Sequence, residues 1–202
     1  MKTRREFIKK TTALTALGLM TDWASAASTN DKFGNVLPKR KLIRNGEKVT
    51  AFCLGGYHLG FTEDPNEAER MVERSIELGV RFFDNARRYH DGRSEEYMGR
   101  FLTPKYRDKI FLMSKAPAKT SKGVQEQLDE TLKALKTDYL DLWQIHALQT
   151  IQDVDNRMDA GVLDVFLEAK EKGKTRYIGF TGHSNPKVHL HFLEFLDKRG
   201  LQ

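Results

Sequence analysis

The feature that most constrains this chain is a regular alternation of apolar runs with amphipathic stretches of helical period, from about residue 49 to residue 200. The runs predicted as strands are VTAFCLGG (49–56), VRFFDNA (80–86), DKIFLMSK (108–115), DYLDLWQIH (138–146) and TRYIGFTGH (175–183). The stretches predicted as helices are NEAERMVERSIELG (66–79), SEEYMGRFL (94–102, with Ser94 as its cap), SKGVQEQLDETLKALK (121–136), AGVLDVFLEAKEKG (160–173) and NPKVHLHFLEFLDKRG (185–200). Short strands that alternate with helices predict a parallel sheet built from five βα units.

Two α/β architectures contain such a sheet. A doubly wound nucleotide-binding fold usually shows G-x-G-x-x-G after its first strand, and LGGYHLG (54–60) does not fit that pattern. A (β/α)8 barrel of the TIM type has eight units over roughly 250 residues. The expected fold is therefore an α/β partial barrel of the TIM type over residues 41–202, with five of the units. A β-hairpin precedes them, with its turn at Asn45-Gly46 in KLIRNGEKVTAF.

The first residues have the layout of an export signal. A basic opening, MKTRREFIKK, is followed by the weakly apolar TTALTALGLM and by small residues up to Ala26. The pair Arg4-Arg5 is similar to the twin-arginine signal, so we expect residues 1–26 to direct export to the periplasm and to be cleaved after Ala26. An ordinary secretory signal or an uncleaved anchor is the alternative. Residues 27–40 are polar and are predicted to be a linker.

Charge and cysteine content exclude several classes of function. The chain has a formal net charge of +6, but residues 1–26 carry much of that excess, and no basic stripe interleaved with aromatic residues indicates nucleic-acid binding. Cys53 is the only cysteine, so an internal disulfide and a cysteine-ligated cluster or zinc site within one chain are excluded. His189 and His191 stand two apart on a predicted helix and do not share a face. No metal site is predicted.

Ionisable residues follow consecutive predicted strands. Asp84 ends the second strand, Tyr89 lies in the loop beyond it, Lys115 ends the third strand, and His146 ends the fourth. Each residue alone has an ordinary structural explanation, such as a turn cap or a solvated ion pair. The carboxyl ends of parallel strands, however, meet at one edge of the sheet, where sites form. Together the four residues predict an active site at that edge.

The segments that carry these residues resemble the aldo-keto reductase family. FFDNARRYHDGRSEEYMG, LMSKAP, LWQIH and RYIGFTGHSNP are similar in order and spacing to that family's motifs, over about residues 40–186. The resemblance implies an oxidoreductase that reduces a small aldehyde or ketone with NADP(H), NAD(H) being the other form of the cofactor. It also implies that Asp84, Tyr89, Lys115 and His146 are the catalytic residues.

The chemistry of these side chains agrees with that implication. A phenol titrates near ~10 in model peptides, and an adjacent ammonium stabilises the phenolate. Lys115, held charged by Asp84, would thus help Tyr89 to protonate the carbonyl oxygen as the hydride arrives. His146 would orient that oxygen by a hydrogen bond.

The cofactor-binding positions follow the family less closely. Gly55 and Gly56 in the first loop would let the cofactor approach the backbone, although a plain tight turn explains them equally well. The family usually places a Ser-Asn pair after its fifth strand to hold the nicotinamide amide, and Thr181 and Gly182 stand there in this chain. Thr181 can still form that hydrogen bond, whereas Gly182 has no side chain to do so.

Two alternatives to an exported reductase stay open at this point. The five units could form a non-catalytic remnant that acts as a binding or interaction module. An isomerase on a shortened barrel is the other alternative, and no motif indicates one. Since a five-stranded partial barrel has unpaired edges, we expect residues 27–202 to self-associate and to bind NADPH poorly.

Overall fold

The computed structural model describes residues 29–42 and 46–201. The export signal predicted for residues 1–26 lies outside the described residues, as does Asn45 of the predicted hairpin turn. Among the described helices, none combines the length and the apolar character that crossing a membrane requires.

Two antiparallel hairpins precede the main sheet. The first pairs β1 (Thr29–Asp31) with β2 (Gly34–Val36), and the second pairs β3 (Lys39–Lys41) with β4 (Lys48–Thr50). Asp31 accepts two hydrogen bonds from the guanidinium of Arg81, at 2.7 and 2.9 Å, and Val36 is buried. Residues 29–36 are therefore a structured hairpin and not part of the predicted linker. A contact that spans 50 positions fixes it, and local composition does not reveal such a contact.

The second hairpin confirms the prediction made from KLIRNGEKVTAF. The strand predicted over residues 49–56 is interrupted, however: it ends at Thr50 and resumes only at Leu54. The Thr50 hydroxyl donates to the Phe52 carbonyl at 2.8 Å and accepts from the Arg81 backbone N–H at 3.1 Å. These bonds turn the chain, and the Phe52 side chain between the two strands is exposed.

The main sheet has five parallel strands that lie side by side in chain order. They are β5 (Leu54–Gly55), β6 (Phe82–Asp84), β7 (Phe111–Ala116), β8 (Leu140–Leu148) and β9 (Thr175–Gly182). Every neighbouring pair is parallel, so the five carboxyl ends lie at one edge. The predicted α/β fold, a partial barrel of the TIM type, is confirmed.

The strands alternate with helices, some of which the sequence did not predict. The helices are α1 (Gly56–Phe61), α2 (Pro65–Glu77), α3 (Arg93–Tyr97), α4 (Thr103–Tyr106), α5 (Ser121–Ala134), α6 (Ile151–Asp159), α7 (Val162–Glu171) and α8 (Pro186–Lys198). A π-helical turn, Met98–Leu102, joins α3 to α4. Helices α1, α4 and α6 were not predicted. Ser94 is not a cap: it lies inside α3, and its hydroxyl donates to the Gly56 carbonyl at 2.7 Å.

Apolar side chains fill both faces of the sheet. The larger core lies between strands and helices, where the Trp143 ring of β8 stacks on the Phe166 ring of α7 at 3.8 Å between centroids. On the other face, Val49 of β4 packs with Phe111 and Met113 of β7. The β3–β4 hairpin therefore covers part of the barrel interior, and the carboxyl edge of the strands is left for polar side chains.

Candidate active site

The structure brings the four predicted catalytic residues to the carboxyl edge of the sheet. Asp84 is the last residue of β6, Lys115 is the last but one of β7, and His146 lies near the end of β8. Tyr89 begins a short 3₁₀ turn, Tyr89–Gly92, beyond β6. Because the strands are parallel and adjacent, residues far apart in sequence become neighbours here.

The Lys115 side chain is the centre of the cluster. Its ammonium forms a short salt bridge with the Asp84 carboxylate, donates to the Asn85 carbonyl at 2.7 Å, and lies 3.3 Å from the Tyr89 hydroxyl oxygen. An ammonium has three protons to donate, and three acceptors surround this one. The side chain is only 7% exposed, so packing fixes its position.

The turn that carries Tyr89 has an uncommon backbone. His90 and Asp91 have φ values of 50° and 55°, and Gly92 follows at 93°. Left-handed conformations cost energy for residues with a Cβ and concentrate at functional sites. The Tyr89 N–H donates to the Ala86 carbonyl at 3.0 Å. Three left-handed residues in succession thus direct the chain away immediately after the tyrosine.

A buried carboxylate anchors this turn from below. Arg87 donates from Nη1 to Glu95 at 3.3 Å and from Nε to Glu130 at 2.9 Å. Glu95 is fully buried and also accepts from the Ser114 hydroxyl at 2.6 Å. Burial raises the pKa of Glu95, while its hydrogen bonds oppose that shift. Gly92 has a φ of 93°, which strains any residue with a Cβ, and a Cβ there would also displace the Arg87 guanidinium, 2.0 Å away.

His146 faces Tyr89 from the next strand but one. The two ring centroids are 5.9 Å apart, and the rings are nearly perpendicular. Burial, and then the charge of Lys115, lower the pKa of His146 to about 4. The imidazole is therefore neutral at pH 7 and can donate one hydrogen bond while accepting another. Its buried Nδ1 has no hydrogen-bond partner among the described residues.

Comparison with known proteins identifies the family. The model of the aldo/keto reductase family matches residues 51–189, which is more than half of the chain. This chain belongs to the aldo/keto reductase family. The resemblance noted in the sequence is thereby confirmed at the level of the family and its fold.

Individual relatives agree with the family assignment. The chain is 31% identical over 155 residues to an uncharacterised oxidoreductase, YqkF, of Bacillus subtilis (strain 168), covering 71% of this chain and 48% of that protein. It is 27% identical over 154 residues to L-galactose dehydrogenase of Arabidopsis thaliana, with 71% and 48% covered. The holo form of aldo-keto reductase AKR11C1 from Bacillus halodurans superposes with a TM-score of 0.68 at 27% identity, with 77% of this chain and 53% of that one covered.

This aldo/keto reductase chain spans about half the length of the curated relatives that it matches. The matched part contains the five parallel strands and all four residues of the Lys115 cluster. The match therefore shows the oxidoreductase family and its barrel-type fold, and it does not by itself assign the activity of any whole relative to this chain.

The four predicted cofactor positions differ in how much room they offer. A Cβ built on Gly55 would meet nothing within 4 Å. A Cβ on Gly56, in contrast, would lie 2.6 Å from the Ser94 hydroxyl, so this glycine is needed for packing of α1 against α3. Gly182 is similarly enclosed, because its Cβ would lie 2.3 Å from Nε2 of His189. Thr181 Oγ1 accepts from a backbone N–H at 2.9 Å and keeps its own proton free to donate.

An aromatic wall lies beside the tyrosine. The Tyr57 ring of α1 meets the Tyr89 ring edge-on at 5.5 Å, and Tyr57 is 52% exposed. Cys53 lies nearby and is exposed. Although the residue is exposed, partial desolvation by the surrounding protein, and then the charge of Asp84, raise the pKa of its thiol, so Cys53 is not an activated nucleophile. Among the described residues, no group of three or more His, Cys, Asp or Glu side chains could hold a metal ion.

Sequence reasoning missed the residues that support the cluster. Asn85 acts through its backbone carbonyl, which no side-chain pattern reveals. Arg87 and Glu95 are close to the predicted residues in sequence, but charged side chains in a loop and in the first turn of a helix are usually exposed to solvent. Arg157 contacts the His146 carbonyl from α6, a helix that was not predicted at all. Two signals could have indicated that helix: the i, i+4 pair of Asp153 and Arg157, and Thr150 three residues before Asp153, which caps the helix in the structure.

Proposed function

We propose that this protein is a nicotinamide-dependent carbonyl reductase in which Tyr89 protonates the oxygen of an aldehyde or ketone. The observation that carries the proposal is the double contact of the Lys115 ammonium. It is paired with Asp84 on one side and lies 3.3 Å from the Tyr89 hydroxyl on the other. A cation so placed stabilises the phenolate that remains when the proton has left.

The nicotinamide of NADP(H) supplies the hydride when the cofactor is bound, NAD(H) being the other candidate form. Two observations fit such a group at this edge. Gly55 leaves open space next to the cluster, and the Thr181 hydroxyl keeps a proton to donate towards an amide oxygen. We assign these two residues to its binding. Gly56 and Gly182 support the same region through packing rather than by direct contact.

The chain's own residues perform the acid–base part of the reaction. Tyr89 gives its hydroxyl proton to the carbonyl oxygen while the carbonyl carbon accepts the hydride, so an alcohol forms and the phenolate is later reprotonated from solvent. Asp84 keeps the Lys115 ammonium aimed at the phenol. His146 is neutral, since its pKa is lowered to about 4, and it can orient the substrate oxygen by donating a hydrogen bond.

Replacement of Tyr89 by Phe tests the proposal. Loss of a general acid typically lowers the rate by roughly 10²–10⁴-fold. We expect NADPH oxidation with a panel of small aldehydes and ketones to fall by that factor, while NADPH binding, followed by fluorescence, is unchanged. Tyr139→Phe is the matched control, because its ring lies under Arg107, away from the cluster. Reduction by Tyr89→Phe within a factor of about two of the wild type would refute the role of Tyr89.

We also propose that the protein is exported to the periplasm by the twin-arginine route. The support is the Arg4-Arg5 pair within a basic, apolar and small-residue order. Arg4→Lys together with Arg5→Lys should leave the precursor in the cytoplasm, as judged by cell fractionation. Undiminished export of the double variant would contradict this route.

A further inference from the structure

The strand that carries His146 is irregular at that position. β8 and β9 pair regularly up to Ile145, after which the register shifts before Leu148 pairs with Gly182. Ala147, within the shift, has a φ of 55°, which is uncommon for a residue with a Cβ. A bulge of this kind changes the direction of a side chain and often lies next to an active site. The side chain concerned here is His146.

One peptide unit within this bulge is held from both sides. Its carbonyl, that of His146, accepts from Nη1 of Arg157 at 3.2 Å. Its N–H, that of Ala147, donates to Oγ1 of Thr181 at 2.9 Å. Because the carbonyl and the N–H belong to the same planar peptide, the two bonds together fix its orientation. Together with the regular pairing of Ile145 just before it, they fix the direction in which the Cα–Cβ bond of His146 leaves the chain.

Arg157 is itself held in place. It is 2% exposed, and its Nε donates to the Asp153 carboxylate at 3.1 Å, one turn earlier in α6. Asp153 in turn accepts from the Gln149 N–H at 3.2 Å and pairs with Lys119 at 2.9 Å. The guanidinium thus bridges a fixed carboxylate and the His146 carbonyl, a geometry that a lysine ammonium at the same position cannot reproduce.

A second arginine shows what the same chemistry does elsewhere on β8. Arg107 donates to the Asp141 carboxylate at 2.9 Å and to the Tyr139 carbonyl at 3.0 Å, next to the start of the strand. It therefore also bridges a carboxylate and a backbone carbonyl. No register shift and no residue of the Lys115 cluster lie there. Arg107 accordingly serves as an internal control for a purely structural arginine.

We propose that Arg157 is a positioning residue, which clamps the peptide between His146 and Ala147 and so aims the His146 ring at the substrate oxygen. The inference rests on the proposed function of His146. Charged and titratable groups that face His146 are Lys115, Arg88, His183 and Arg157 itself, with the Tyr89 ring alongside. Burial and then the charge of Lys115 contribute most to the lowered pKa of His146, and the charge of Arg157 adds a smaller contribution. Removal of Arg157 should therefore change the aim of His146 and, to a smaller extent, its titration.

The kinetic test compares Arg157→Lys with Arg107→Lys in the full chain. A misplacement of about 1 Å at a reacting group can lower a rate by roughly 10²-fold. We therefore expect Arg157→Lys to lower kcat by about 10- to 100-fold with an unchanged KM for NADPH. Both substitutions should lower the melting temperature to a similar extent, but Arg107→Lys should keep the wild-type kcat. Equal kcat values for both variants and the wild type would overturn the proposal.

A second readout does not depend on activity. In the wild type, the His146 ring signals should titrate near pH 4 by NMR. Arg157→Met should move that titration upward and shift the ring signals at neutral pH, whereas Arg107→Lys should leave both unchanged. If the wild type proves inactive but His146 responds in this way, the proposed function fails and the clamp stands. An unaltered His146 titration and spectrum in folded Arg157→Met would overturn the clamp whatever the activity.

Thr181→Val keeps the proposal testable if both Arg157 variants fail to fold. This substitution releases the N–H of the same peptide and preserves the shape of the side chain. Loss of this hydrogen bond should loosen the peptide, so we expect the His146 ring signals to shift at neutral pH in the same direction as in Arg157→Met. His146 signals identical to those of the wild type would then overturn the proposal, since one side of the clamp would be absent without consequence.

Discussion

Buried charges lie at both edges of the parallel sheet, and the two edges use them differently. At the amino edge, Asp141 is 2% exposed and each of its oxygens has a charged partner. It accepts from Arg107 at 2.9 Å, from the Leu112 N–H at 2.9 Å and from Arg176 at 2.6 Å. Arg176 continues to Glu47 of the hairpin region. This network joins β7, β8, β9 and the hairpin. We call it closed because both oxygens of Asp141 have partners within the protein.

At the carboxyl edge, the network is incomplete. Lys115 has three acceptors, but Nδ1 of His146 has no partner among the described residues. The Tyr89 hydroxyl lies at the margin of the cluster beside the exposed Tyr57. A closed polar network stabilises a fold, whereas buried polar groups with spare capacity mark a site where a ligand completes the network. The comparison separates charges that hold the sheet together from charges to which the proposed function assigns chemistry.

The largest expected effect lies at the carboxyl edge. Lys115→Met removes the cation next to the phenol, and we expect kcat for carbonyl reduction to fall by roughly 10²–10⁴-fold. Its pH profile should also shift, because the phenolate loses its neighbouring charge. Steady-state kinetics across pH 5–9 would check this. A profile that coincides with that of the wild type would remove Lys115 from the mechanism.

The counterpart at the amino edge should affect stability instead. Asp141→Asn leaves two arginines without their carboxylate, and breaking a buried pair in this way typically costs about 3–5 kcal/mol. Urea unfolding should show that loss in the unfolding free energy. At temperatures where the variant is folded, kcat should stay at the wild-type value. A stable Asp141→Asn protein that has lost activity would erase the distinction between the two edges.

The third prediction concerns the pH dependence of stability. His146 titrates at about 4 in the folded protein against 6.5 for an ordinary histidine. Between these values, the unfolded chain binds more protons, so the unfolding free energy falls as the pH falls. His146 contributes at most about 1.4 kcal/mol per pH unit to that slope. His146→Gln should therefore flatten the stability curve between these two pH values. Parallel curves for the variant and the wild type would mean that the fold does not lower the pKa of His146.

The smallest predicted effect lies at the rim of the closed network. The Tyr177 hydroxyl donates to Glu47 at 3.3 Å, and Tyr177 is half-buried. Tyr177→Phe removes that hydrogen bond alone, so we expect a loss of about 0.5–1.5 kcal/mol in urea unfolding and unchanged kinetics. A loss several times larger would show that Tyr177, rather than Asp141, holds the amino edge together.

The comparison also explains what could be predicted from the sequence. The parallel sheet and the placement of Asp84, Lys115 and His146 followed from periodicity, because each residue stands at the end of an apolar run. The clamp around His146 could not be predicted in this way. It requires a bulge, whose position depends on how β8 and β9 align, and a side chain from α6, whose weak apolar pattern in IQDVDNRMD does not indicate a helix.

Other differences have the same physical origin. The hairpin of residues 29–36 forms because Asp31 finds Arg81 across the fold, and Ser94 bonds the Gly56 carbonyl instead of capping a helix. Both are tertiary contacts that override a correct local preference. The positions of Asp84, Lys115 and His146 were predictable because each lies at or near a strand end, whereas their supporting residues were not, because only the completed fold brings them together.

The turn after β6, Tyr89–Gly92, is held in its strained conformation by contacts within the protein. Arg87 ties this turn to Glu95 and Glu130, and the Arg87 N–H donates to the Lys115 carbonyl at 3.0 Å. The tyrosine is thus fixed before any ligand arrives, and the strain of the left-handed residues is incurred once, when the chain folds. Under the proposed function, Tyr89 would then need no reorganisation at each turnover. Slow exchange with the solvent should characterise the amides of Arg87 and Tyr89, which both donate to backbone carbonyls.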